Sequence, residues 1–525
     1  MRMLDKDESL WYQREITLPS DWQGQDVLLN FGAVDYQARV YVNGAQAGSH
    51  IGGFGSFSLN ITHLLHTDGT PDTLSVLVID NTDEATQPLG KQRYSPGGAG
   101  SIWYTQVSGI WQTVWLEPVA RQHISRVQTT PDVDNNQMTI AVETDNATSS
   151  SKVKAVLRLQ GTPMAEGEAY VGAPITLDLP NARLWSPVSP TLYDLEVILT
   201  DASGNETDRV ESYAAMRKIS THKGDDGEWH LQLNNRDLFQ FGPLDQGYWP
   251  DGLYTAPTDD ALLYDVQKTK DWGFNMIRKH MKVEPARWYY HCDRLGILVW
   301  QDMPALGRSD EPWRSREWST TNGQQPYSIA EAFRNQWKEI ITQLYSNPSV
   351  VVWTPFNESW GQFQTADIVS FTREVDGTRL INAASGGNHF ANAGDFLDLH
   401  DYDRPPHIYL YDPQRPVVLG EYGGLGRHIE GHRWYENQAT TYVNYGSESQ
   451  LTDAYVANTE AVISMARNAT TTDGRPAAFC AAVYTQTTDV ETEVNGIMTY
   501  DREIIKMNEQ RVHEVNQRLV NIYGE

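Results

Sequence analysis

The pattern of apolar residues changes near Arg217, and this change separates two kinds of fold along the chain. Before it, apolar and polar residues alternate in short segments, as they do in half-buried β-strands. After it, short apolar segments alternate with longer segments of helical periodicity, as in proteins whose strands and helices follow one another. The sequence therefore predicts all-β structure followed by an α/β domain.

The all-β part divides into two blocks. Residues 1–118 contain strand-like segments such as DVLLNFGAV, ARVYVNG and TLSVLVID, and the hairpin signal Asn43-Gly44. They predict a first β-sandwich, and because its first strand segment already begins at Trp11, we expect one or more further strands upstream. Residues 119–217 form a shorter block, with segments such as MTIAVETD and KVKAVLRLQ, which predicts an immunoglobulin-like sandwich.

Residues 218–525 contain eight apolar strand candidates, most of them separated by helical segments. One such helix is predicted for residues 328–345 and ends before Asn347-Pro348. Strands and helices in this order predict a (β/α)8 barrel, whose active sites lie at the carboxyl ends of the strands. The strand candidates are LFQFGPLD, NMIRKH, ILVWQDMP, VVVWTPFNE, LINAASGG, FLDLHDY, PVVLGEYG and AAFCAAVYTQ.

Polar side chains follow directly after several of the predicted barrel strands. They are His280, Asp302, Asn357, Glu358, His400, Tyr402 and Glu421. By this count Glu358 ends the fourth strand and Glu421 the seventh, roughly across the barrel mouth from one another. The count predicts two glutamates that face one substrate atom from opposite sides.

Glycoside hydrolysis requires such a pair of carboxyl groups. One must be protonated to donate to the leaving oxygen, and the other must be ionised to attack or stabilise the oxocarbenium-like centre. Two adjacent carboxylates separate their own pKa values, since ionising one raises the pKa of the other. Either glutamate alone could be a salt-bridge partner or a helix cap, but together Glu358 and Glu421 predict a glycosidase. If the sugar configuration is retained, the carboxyl groups should lie about 5 to 5.5 Å apart.

A metal-dependent hydrolase is a rival class, since five histidine and aspartate residues could converge on zinc. The residues are His280, Asp302, His400, Asp401 and His407. However, no His-x-His pair follows the first barrel strand, and no His-Glu-x-x-His helix, P-loop or dinucleotide-binding glycine motif is present. The sequence therefore predicts neither a catalytic metal nor a cofactor, and it leaves a structural metal open.

Composition restricts the partners of the chain. A net charge of -27 repels phosphate backbones and anionic lipid, so we expect neither nucleic acid nor a membrane as partner. The 17 Trp and 26 Tyr suit sugar rings, although large β-sandwiches are also rich in aromatic residues. We therefore expect a carbohydrate partner, and a carbohydrate-binding protein without turnover or an adhesion protein built on the sandwiches stay as alternatives.

The N-terminal sequence and the two cysteines bear on the cellular compartment of the protein. MRMLDKDESLWYQRE has no apolar stretch or small-residue cleavage site of a secretory signal. We expect a cytoplasmic protein, or an exported one if a leader lies outside this sequence. Cys292 and Cys480 lie in apolar surroundings and are predicted to be buried free thiols.

Four segments resemble glycoside hydrolase family 2: SVVVWTPFNESWGQ, RPVVLGEYGG, FNMIRKHMKVEPARWYYHCDRLGILVWQD and SGIWQTVWLEP. The resemblance covers nearly the whole chain, in the order of a sugar-binding jelly-roll sandwich, an immunoglobulin-like sandwich and a (β/α)8 barrel. It implies a retaining exo-acting β-glycosidase with Glu358 as general acid/base and Glu421 as nucleophile. Oligomers are common in this architecture, so a homo-oligomer is compatible with it.

The same resemblance implies roles for residues around the pair. Asn357 matches an asparagine that holds the sugar 2-hydroxyl, and His280 matches a histidine that contacts the sugar ring. Asp302, His400 and Tyr402 match positions of substrate-binding or supporting groups. An amide beside the acid can also strengthen a hydrogen bond as charge develops at the anomeric carbon.

Departures from the family's motifs bear on the sugar. Galactosidases of the family commonly carry Tyr-Ala-His after the nucleophile, whereas Tyr422-Gly423-Gly424 follows Glu421 here. No Asn-x-Lys triplet, with which the family's glucuronidases read the sugar carboxylate, occurs in the chain, which disfavours a glucuronidase. Where the family often has a tryptophan at the pocket floor, we expect Tyr484. On the family's base rate we favour a β-galactosidase, and β-mannosidase, β-glucuronidase and galactofuranosidase-like activities stay open.

Overall fold

A computed structural model of the chain describes residues 4–5, 8–82, 87–94, 100–225, 227–307, 312–436, 439–475 and 477–524. They form two compact units. The first contains the described residues of Met1–Asn81, Ser108–Lys218 and Gln343–Pro348, and the second those of Thr82–Val107, Ile219–Thr342 and Ser349–Glu525. No helix in the described ranges is long and apolar enough to cross a membrane.

The N-terminal β-sandwich forms from strands whose side chains alternate between a buried and an exposed face, as in β4, where Ala38, Val40 and Val42 are buried. Its antiparallel sheets have the orders β1-β7-β4-β5 and β11-β2-β6, with a short β10-β3 pair. The strands are β1 (Leu10–Ile16), β2 (Asp26–Phe31), β3 (Val34–Asp35), β4 (Gln37–Val42), β5 (Ala45–Ile51), β6 (Phe57–Asn60), β7 (Asp72–Ile79), β8 (Gln92–Arg93), β9 (Tyr104–Thr105), β10 (Gly109–Ile110) and β11 (Val114–Val119), of which β8 and β9 belong to the second unit.

The second β-sandwich of the first unit packs two antiparallel sheets, β12-β13-β16 and β15-β14-β17-β18, around a separate apolar core. Met138, Leu157, Tyr193 and Val197 are buried at its centre. The sequence expectation of two successive β-sandwiches is confirmed. The strands are β12 (His123–Asp132), β13 (Gln137–Asp145), β14 (Lys152–Leu159), β15 (Thr162–Tyr170), β16 (Ile175–Asp178), β17 (Tyr193–Thr200) and β18 (Glu206–Ala214).

The second unit contains an eight-stranded parallel sheet in the order β26-β25-β24-β23-β22-β31-β28-β27. The first and last of these strands in the chain, β22 and β31, are hydrogen-bonded neighbours, which curls the sheet as in a (β/α)8 barrel. All eight strands coincide with the predicted segments, and the barrel is confirmed. The barrel strands are β22 (Gln240–Asp245), β23 (Met276–Lys279), β24 (Leu298–Asp302), β25 (Val350–Thr354), β26 (Leu380–Ile381), β27 (Leu397–Asp401), β28 (Val417–Gly423) and β31 (Phe479–Thr485). Two smaller sheets of the same unit contain β19 (Ile219–Lys223), β20 (Trp229–Leu233) and β21 (Arg236–Asp237), and β29 (Leu425–Gly426) and β30 (Val443–Asn444).

Helices follow the barrel strands and bury an apolar stripe. In the helix predicted for residues 328–345, Phe333 and Trp337 are buried, and Trp337 donates its indole N–H to Thr372 at 2.9 Å. Cys292 and Cys480 are buried free thiols, as expected. The helices are α1 (Asp259–Asp271), α2 (Ala286–Leu295), α3 (Tyr327–Leu344), α4 (Thr365–Val375), α5 (Glu448–Asn468) and α6 (Glu509–Val520).

A segment from the N-terminal part of the sequence belongs to the barrel unit. Within it, β8 and β9 pair in parallel, and the N–H of Leu89 donates to the carbonyl of Ala305 at 2.8 Å. Ala305 follows the third barrel strand, so the segment reaches the carboxyl end of the barrel. The predicted domain boundaries at residues 118 and 217 stay predictions.

Candidate active site

Glu421 lies on β28, the seventh barrel strand, and 5% of the residue is exposed. Tyr402 donates its hydroxyl to Oε2 at 2.5 Å, and Arg278 donates from Nη1 to Oε1 at 3.2 Å. Both contacts favour an ionised carboxylate, which only accepts hydrogen bonds. The side chain is thereby fixed in one orientation at the carboxyl end of the barrel.

The surroundings of Glu421 lower the pKa of its carboxyl group. Burial acts to raise this pKa, but the charges of His400 and Arg278 and the hydrogen bond from Tyr402 outweigh burial and lower it to about 2. Glu421 is therefore an anion at neutral pH. A buried, oriented carboxylate of this kind can act as a nucleophile.

Glu358 lies in the loop after β25, the fourth barrel strand, and 7% of it is exposed. Its φ is +47° and that of Ser359 is +64°, in the left-handed region that residues other than glycine seldom adopt. The backbone N–H of Glu358 donates to the carbonyl of Ser385 at 2.9 Å and holds the loop in place. Backbone strain of this kind is concentrated at functional sites, so the loop conformation is a separate indication of function.

His400 connects the two glutamates. Its Nδ1 lies 2.8 Å from Oε1 of Glu358 and 3.6 Å from Oε2 of Glu421, while Nε2 lies 2.8 Å from Oγ of Ser385. Burial acts to lower the pKa of His400, but the two glutamates outweigh it and raise the pKa above its ordinary value. Carboxylate oxygens of Glu358 and Glu421 lie within 4.8 Å of each other, so the structure brings the predicted pair together.

Arg278 is a fully buried residue that sequence reasoning missed. It donates from Nη2 to Asp302 at 2.8 Å and to Oδ1 of Asn357 at 2.6 Å, in addition to Glu421. Residues two apart on a strand point to the same side, and Arg278 precedes His280 by two positions. That spacing was the signal in the sequence that could have placed Arg278 in the site.

The side-chain amide group of Asn357 is buried, and only its oxygen has a hydrogen-bond partner among the described residues. Its Oδ1 accepts from Arg278, but no described residue accepts a hydrogen bond from Nδ2. Buried donors without a partner are rare in folded proteins. Because Asn357 directly precedes Glu358, its Nδ2 can donate to a hydroxyl group of a bound sugar.

His280 and Asp302 form a second buried pair. Nδ1 of His280 lies 2.8 Å from Oδ2 of Asp302. Burial, assisted by the charge of Arg278, lowers the pKa of His280 well below its ordinary value, and burial raises the pKa of Asp302. A neutral His280 that donates from Nδ1 to Asp302 keeps Nε2 as an acceptor.

Tyr402 forms an aromatic wall with Tyr442, which sequence reasoning missed. The two rings stack with centroids 3.9 Å apart and an interplanar angle of 10°. The hydroxyl of Tyr402, which donates to Glu421, also lies 3.2 Å from Oγ1 of Thr485. Tyr442 is 49% exposed, so the outer face of the wall is open to solvent.

The structure does not bring Tyr484 to the pocket, which corrects the expectation of a tyrosine floor. Its ring is fully buried between the barrel strands and α5, where it packs against Tyr422 and Tyr455. Side chains alternate along β31, so Thr485 points to the glutamates and Tyr484 points away. The motif Val483-Tyr484-Thr485-Gln486 located the end of the strand, but it did not indicate which of its side chains point into the pocket.

The residues of the rival metal hypothesis separate into two groups. His280, Asp302 and His400 lie in the pocket, whereas Asp401 and His407 meet each other at 3.4 Å in a separate cluster that includes an exposed aspartate. Glu358, His400 and Glu421 are spaced closely enough to hold an ion. However, Oε1 of Glu358 already lies 2.8 Å from Nδ1 of His400, and Glu421 already accepts hydrogen bonds from Arg278 and Tyr402.

Proteins similar to this chain carry the names of two kinds of glycosidase. A putative β-glucuronidase of Formosa agariphila is 28% identical over 363 residues, 67% of this chain and 40% of that protein. A β-galactosidase of Thermoanaerobacter pseudethanolicus is 24% identical over 369 residues, 66% of this chain and 44% of that protein. The chain thus spans less than half the length of these two relatives.

Solved structures share the fold at low identity. The β-D-glucuronidase of Dictyoglomus thermophilum has a TM-score of 0.74 at 17% identity, covering 97% of this chain and 89% of that one. A putative β-galactosidase of Bacteroides fragilis has a TM-score of 0.73 at 20% identity, covering 97% of this chain and 77% of that one. These similarities show the fold alone.

Three family models match consecutive parts of the chain. The galactose-binding domain-like model of glycosyl hydrolase 2 matches residues 3–108, and the model named glycosyl hydrolases family 2 matches residues 122–217. The TIM barrel domain model of the same family matches residues 255–521, which is more than half of the chain and includes both glutamates. The chain therefore belongs to glycosyl hydrolases family 2.

Proposed function

We propose that this chain is a retaining exo-acting β-glycosidase that hydrolyses a terminal β-linked sugar by double displacement. The observation that carries the proposal is the placement of Glu358 and Glu421, whose carboxylate oxygens lie within 4.8 Å of each other. Retaining enzymes hold their carboxyl groups about 5 to 5.5 Å apart, whereas inverting enzymes need a larger gap to admit water. The spacing therefore supports retention.

In the first step, the ionised Glu421 attacks the anomeric carbon while the protonated Glu358 donates its proton to the glycosidic oxygen. The bond from the anomeric carbon to that oxygen breaks, the aglycone leaves as an alcohol, and a glycosyl ester forms on Glu421. The low pKa of Glu421 supports its role as the attacking group, because it is ionised at any pH near neutrality.

In the second step, Glu358 accepts a proton from water, and the resulting hydroxide attacks the anomeric carbon. The ester bond to Glu421 breaks, the sugar leaves with its original configuration, and Glu358 is again protonated. His400 lies 2.8 Å from Oε1 of Glu358 and 3.6 Å from Oε2 of Glu421, so it supports both carboxyl groups through the two steps.

The other residues of the pocket position the sugar and the nucleophile. Arg278 and Tyr402 hold Glu421, and the unpaired Nδ2 of Asn357 is oriented to donate to the sugar 2-hydroxyl. His280, held by Asp302, offers Nε2 to a further hydroxyl group. Hydrogen bonds to the 2-hydroxyl strengthen in the transition state of glycoside hydrolysis.

We propose a β-galactoside as the first sugar and a β-glucuronide as the second candidate. The four similar proteins described above carry both names equally, since two are β-glucuronidases and two are β-galactosidases. The missing Asn-x-Lys triplet weighs against a glucuronide, but it excludes only one way of binding a carboxylate. A sugar-binding role without turnover is the alternative that the experiment below excludes or supports.

The proposal is tested with nitrophenyl β-galactoside, β-glucuronide, β-mannoside, β-glucoside and galactofuranoside. We expect release from at least one of them by the wild type and none by Glu421→Gln. Glu460→Gln is the matched control, because Glu460 pairs with Arg518 on the exposed face of α5 and should leave the rate unchanged. No release from any sugar by the wild type, or equal release by Glu421→Gln, contradicts the proposal.

A further inference from the structure

Lys91 is a buried cation at the carboxyl end of the barrel, with 5% of the residue exposed. It lies directly before β8, in the segment docked onto the loop after the third barrel strand. The N–H groups of Leu89 and Gly90 both donate to the carbonyl of Ala305, at 2.8 and 3.2 Å. Lys91 is thereby carried to the end of the barrel that holds Glu358 and Glu421.

Aromatic rings rather than carboxylates surround the ammonium group of Lys91. Nζ lies 4.9 Å from the ring centroid of Trp360 and 5.6 Å from those of Trp103 and Tyr104. Cation–π contacts attract an ammonium group but do not neutralise it. Among the residues that the structure describes, none forms an ion pair or hydrogen bond with Nζ.

Glutamates attract Lys91 from beyond ion-pair distance. Burial lowers the pKa of Lys91, and the charges of Glu493, Glu421 and Glu358 counteract this only in part. The carboxylate of Glu493 is itself occupied by the hydroxyl of Tyr104 and, at 3.0 Å, by Nδ2 of Asn495. A buried ammonium group without a direct partner is unfavourable, so the site gains free energy when an anion enters.

A second anion near Glu421 requires a cation that is not already paired. Arg278 is occupied by Asp302, Asn357 and Glu421. Lys91 is the cation of the described pocket whose head group contacts only aromatic rings. Its position suits a substrate that brings its own negative charge.

We propose that Lys91 is a specificity-determining residue that binds an anionic substituent of the terminal sugar, such as the carboxylate of a uronic acid or a sulfate ester. The inference rests on the proposed glycosidase function and narrows its substrate class to acidic sugars, which favours a β-glucuronide or a sulfated β-galactoside over a neutral β-galactoside. It replaces the absent Asn-x-Lys triplet with a lysine from a different part of the chain. Trp103 and Trp360, with ring centroids 4.7 Å apart, hold the lysine at the pocket.

The test compares kcat/KM for nitrophenyl β-glucuronide, 6-sulfo-β-galactoside and the neutral β-galactoside and β-glucoside. A hydrogen bond to a charged group predicts that Lys91→Met lowers kcat/KM for the acidic substrate by roughly 10- to 100-fold. We expect less than about a threefold change for neutral sugars, since they lose no ion pair. The two acidic substrates distinguish a carboxylate from a sulfate.

Two further variants make the result decisive. Lys91→Gln keeps a hydrogen-bonding group without the charge and should lose the acidic substrate as well, which covers a misfolded Lys91→Met. Lys268→Met is the matched control, because Lys268 pairs with Glu509 on the surface of α1. Equal losses on acidic and neutral sugars, or no loss on either, overturn the inference.

Failure of this inference differs from failure of the proposed function. If the wild type hydrolyses neutral glycosides but no acidic one, the glycosidase proposal stands and the role of Lys91 is overturned. If no glycoside is hydrolysed, the glycosidase proposal fails, and calorimetric titration with D-glucuronate and D-glucose decides the role of Lys91. Preference of the wild type for D-glucuronate that disappears in Lys91→Met supports it, and equal binding of both sugars overturns it.

Discussion

Arg278 donates to Oε1 of Glu421 across 3.2 Å, and both side chains are buried. The same guanidinium group is bound by Asp302, so one residue joins the second and third barrel strands to the seventh. A planar guanidinium fixes the directions of its donors, which holds Glu421 in one orientation. The geometry of the proposed nucleophile thus depends on a residue outside the pair of glutamates.

Replacing Arg278 should therefore lower the stability of the folded protein. Arg278→Met leaves Asp302 and Glu421 buried without their cation, and we expect it to lower the free energy of unfolding by about 3 to 5 kcal/mol. Urea unfolding measures this loss. Arg278→Lys keeps the charge but loses the planar donors, so it should retain more stability than Arg278→Met. A loss below about 1 kcal/mol in Arg278→Met would contradict the account.

Tyr402→Phe should raise the pKa of Glu421. The hydroxyl of Tyr402 donates to Oε2 at 2.5 Å and is one of the groups that lower this pKa to about 2. Without it, the acid limb of the kcat/KM profile should move to higher pH, because protonated Glu421 cannot attack. Tyr411→Phe is the control, because the ring of Tyr411 lies beside the guanidinium group of Arg475 and has no described contact with Glu421. An unchanged acid limb in Tyr402→Phe argues against this contact.

His400 should make stability depend on pH in a defined direction. Its pKa in the folded protein is raised above the ordinary value, so its favourable contribution is fully present below about pH 6.5 and is lost as the pH rises through the raised pKa. We expect the difference in unfolding free energy between the wild type and His400→Gln to decrease over that range. If the difference in unfolding free energy between the two proteins instead grows as the pH rises, the pKa of His400 is not raised by folding, and this expectation is contradicted.

The buried ion pairs of Lys279 should stabilise the barrel, and replacing Lys279 measures this contribution separately from catalysis. Its Nζ is fully buried and lies 2.6 Å from Asp245 and 2.8 Å from Glu284. Lys279→Met leaves Asp245 buried without its ion-pair partner and leaves Glu284 with Lys282 alone, and we expect a loss of about 3 to 5 kcal/mol in the free energy of unfolding. Lys154→Met, at an exposed pair with Glu166, should change it by less than about 1 kcal/mol. Similar effects of the two variants would contradict this expectation.

The sequence predicted the barrel well because each strand is a short apolar run that ends in a polar motif. Glu358 and Glu421 could be located by counting such runs, and both lie at the predicted ends. Tyr484 was placed wrongly because a strand end alone does not determine which side chain points inward. Lys91 could not be assigned to the site, since the contact of its ammonium group with Trp360, and the hydrogen bonds of Leu89 and Gly90 to Ala305, join positions far apart in the sequence.

The central claim is that Glu421 forms a covalent bond to the sugar, and trapping that bond tests it most directly. A 2-deoxy-2-fluoro glycoside of the sugar that the enzyme cleaves, with a dinitrophenolate leaving group, should form the ester but hydrolyse slowly, because fluorine destabilises the oxocarbenium-like transition state. Mass spectrometry of the digested protein should then find one fluorosugar on the peptide that contains Glu421. A label on another residue, or no label on an enzyme that cleaves the parent glycoside, would contradict the account.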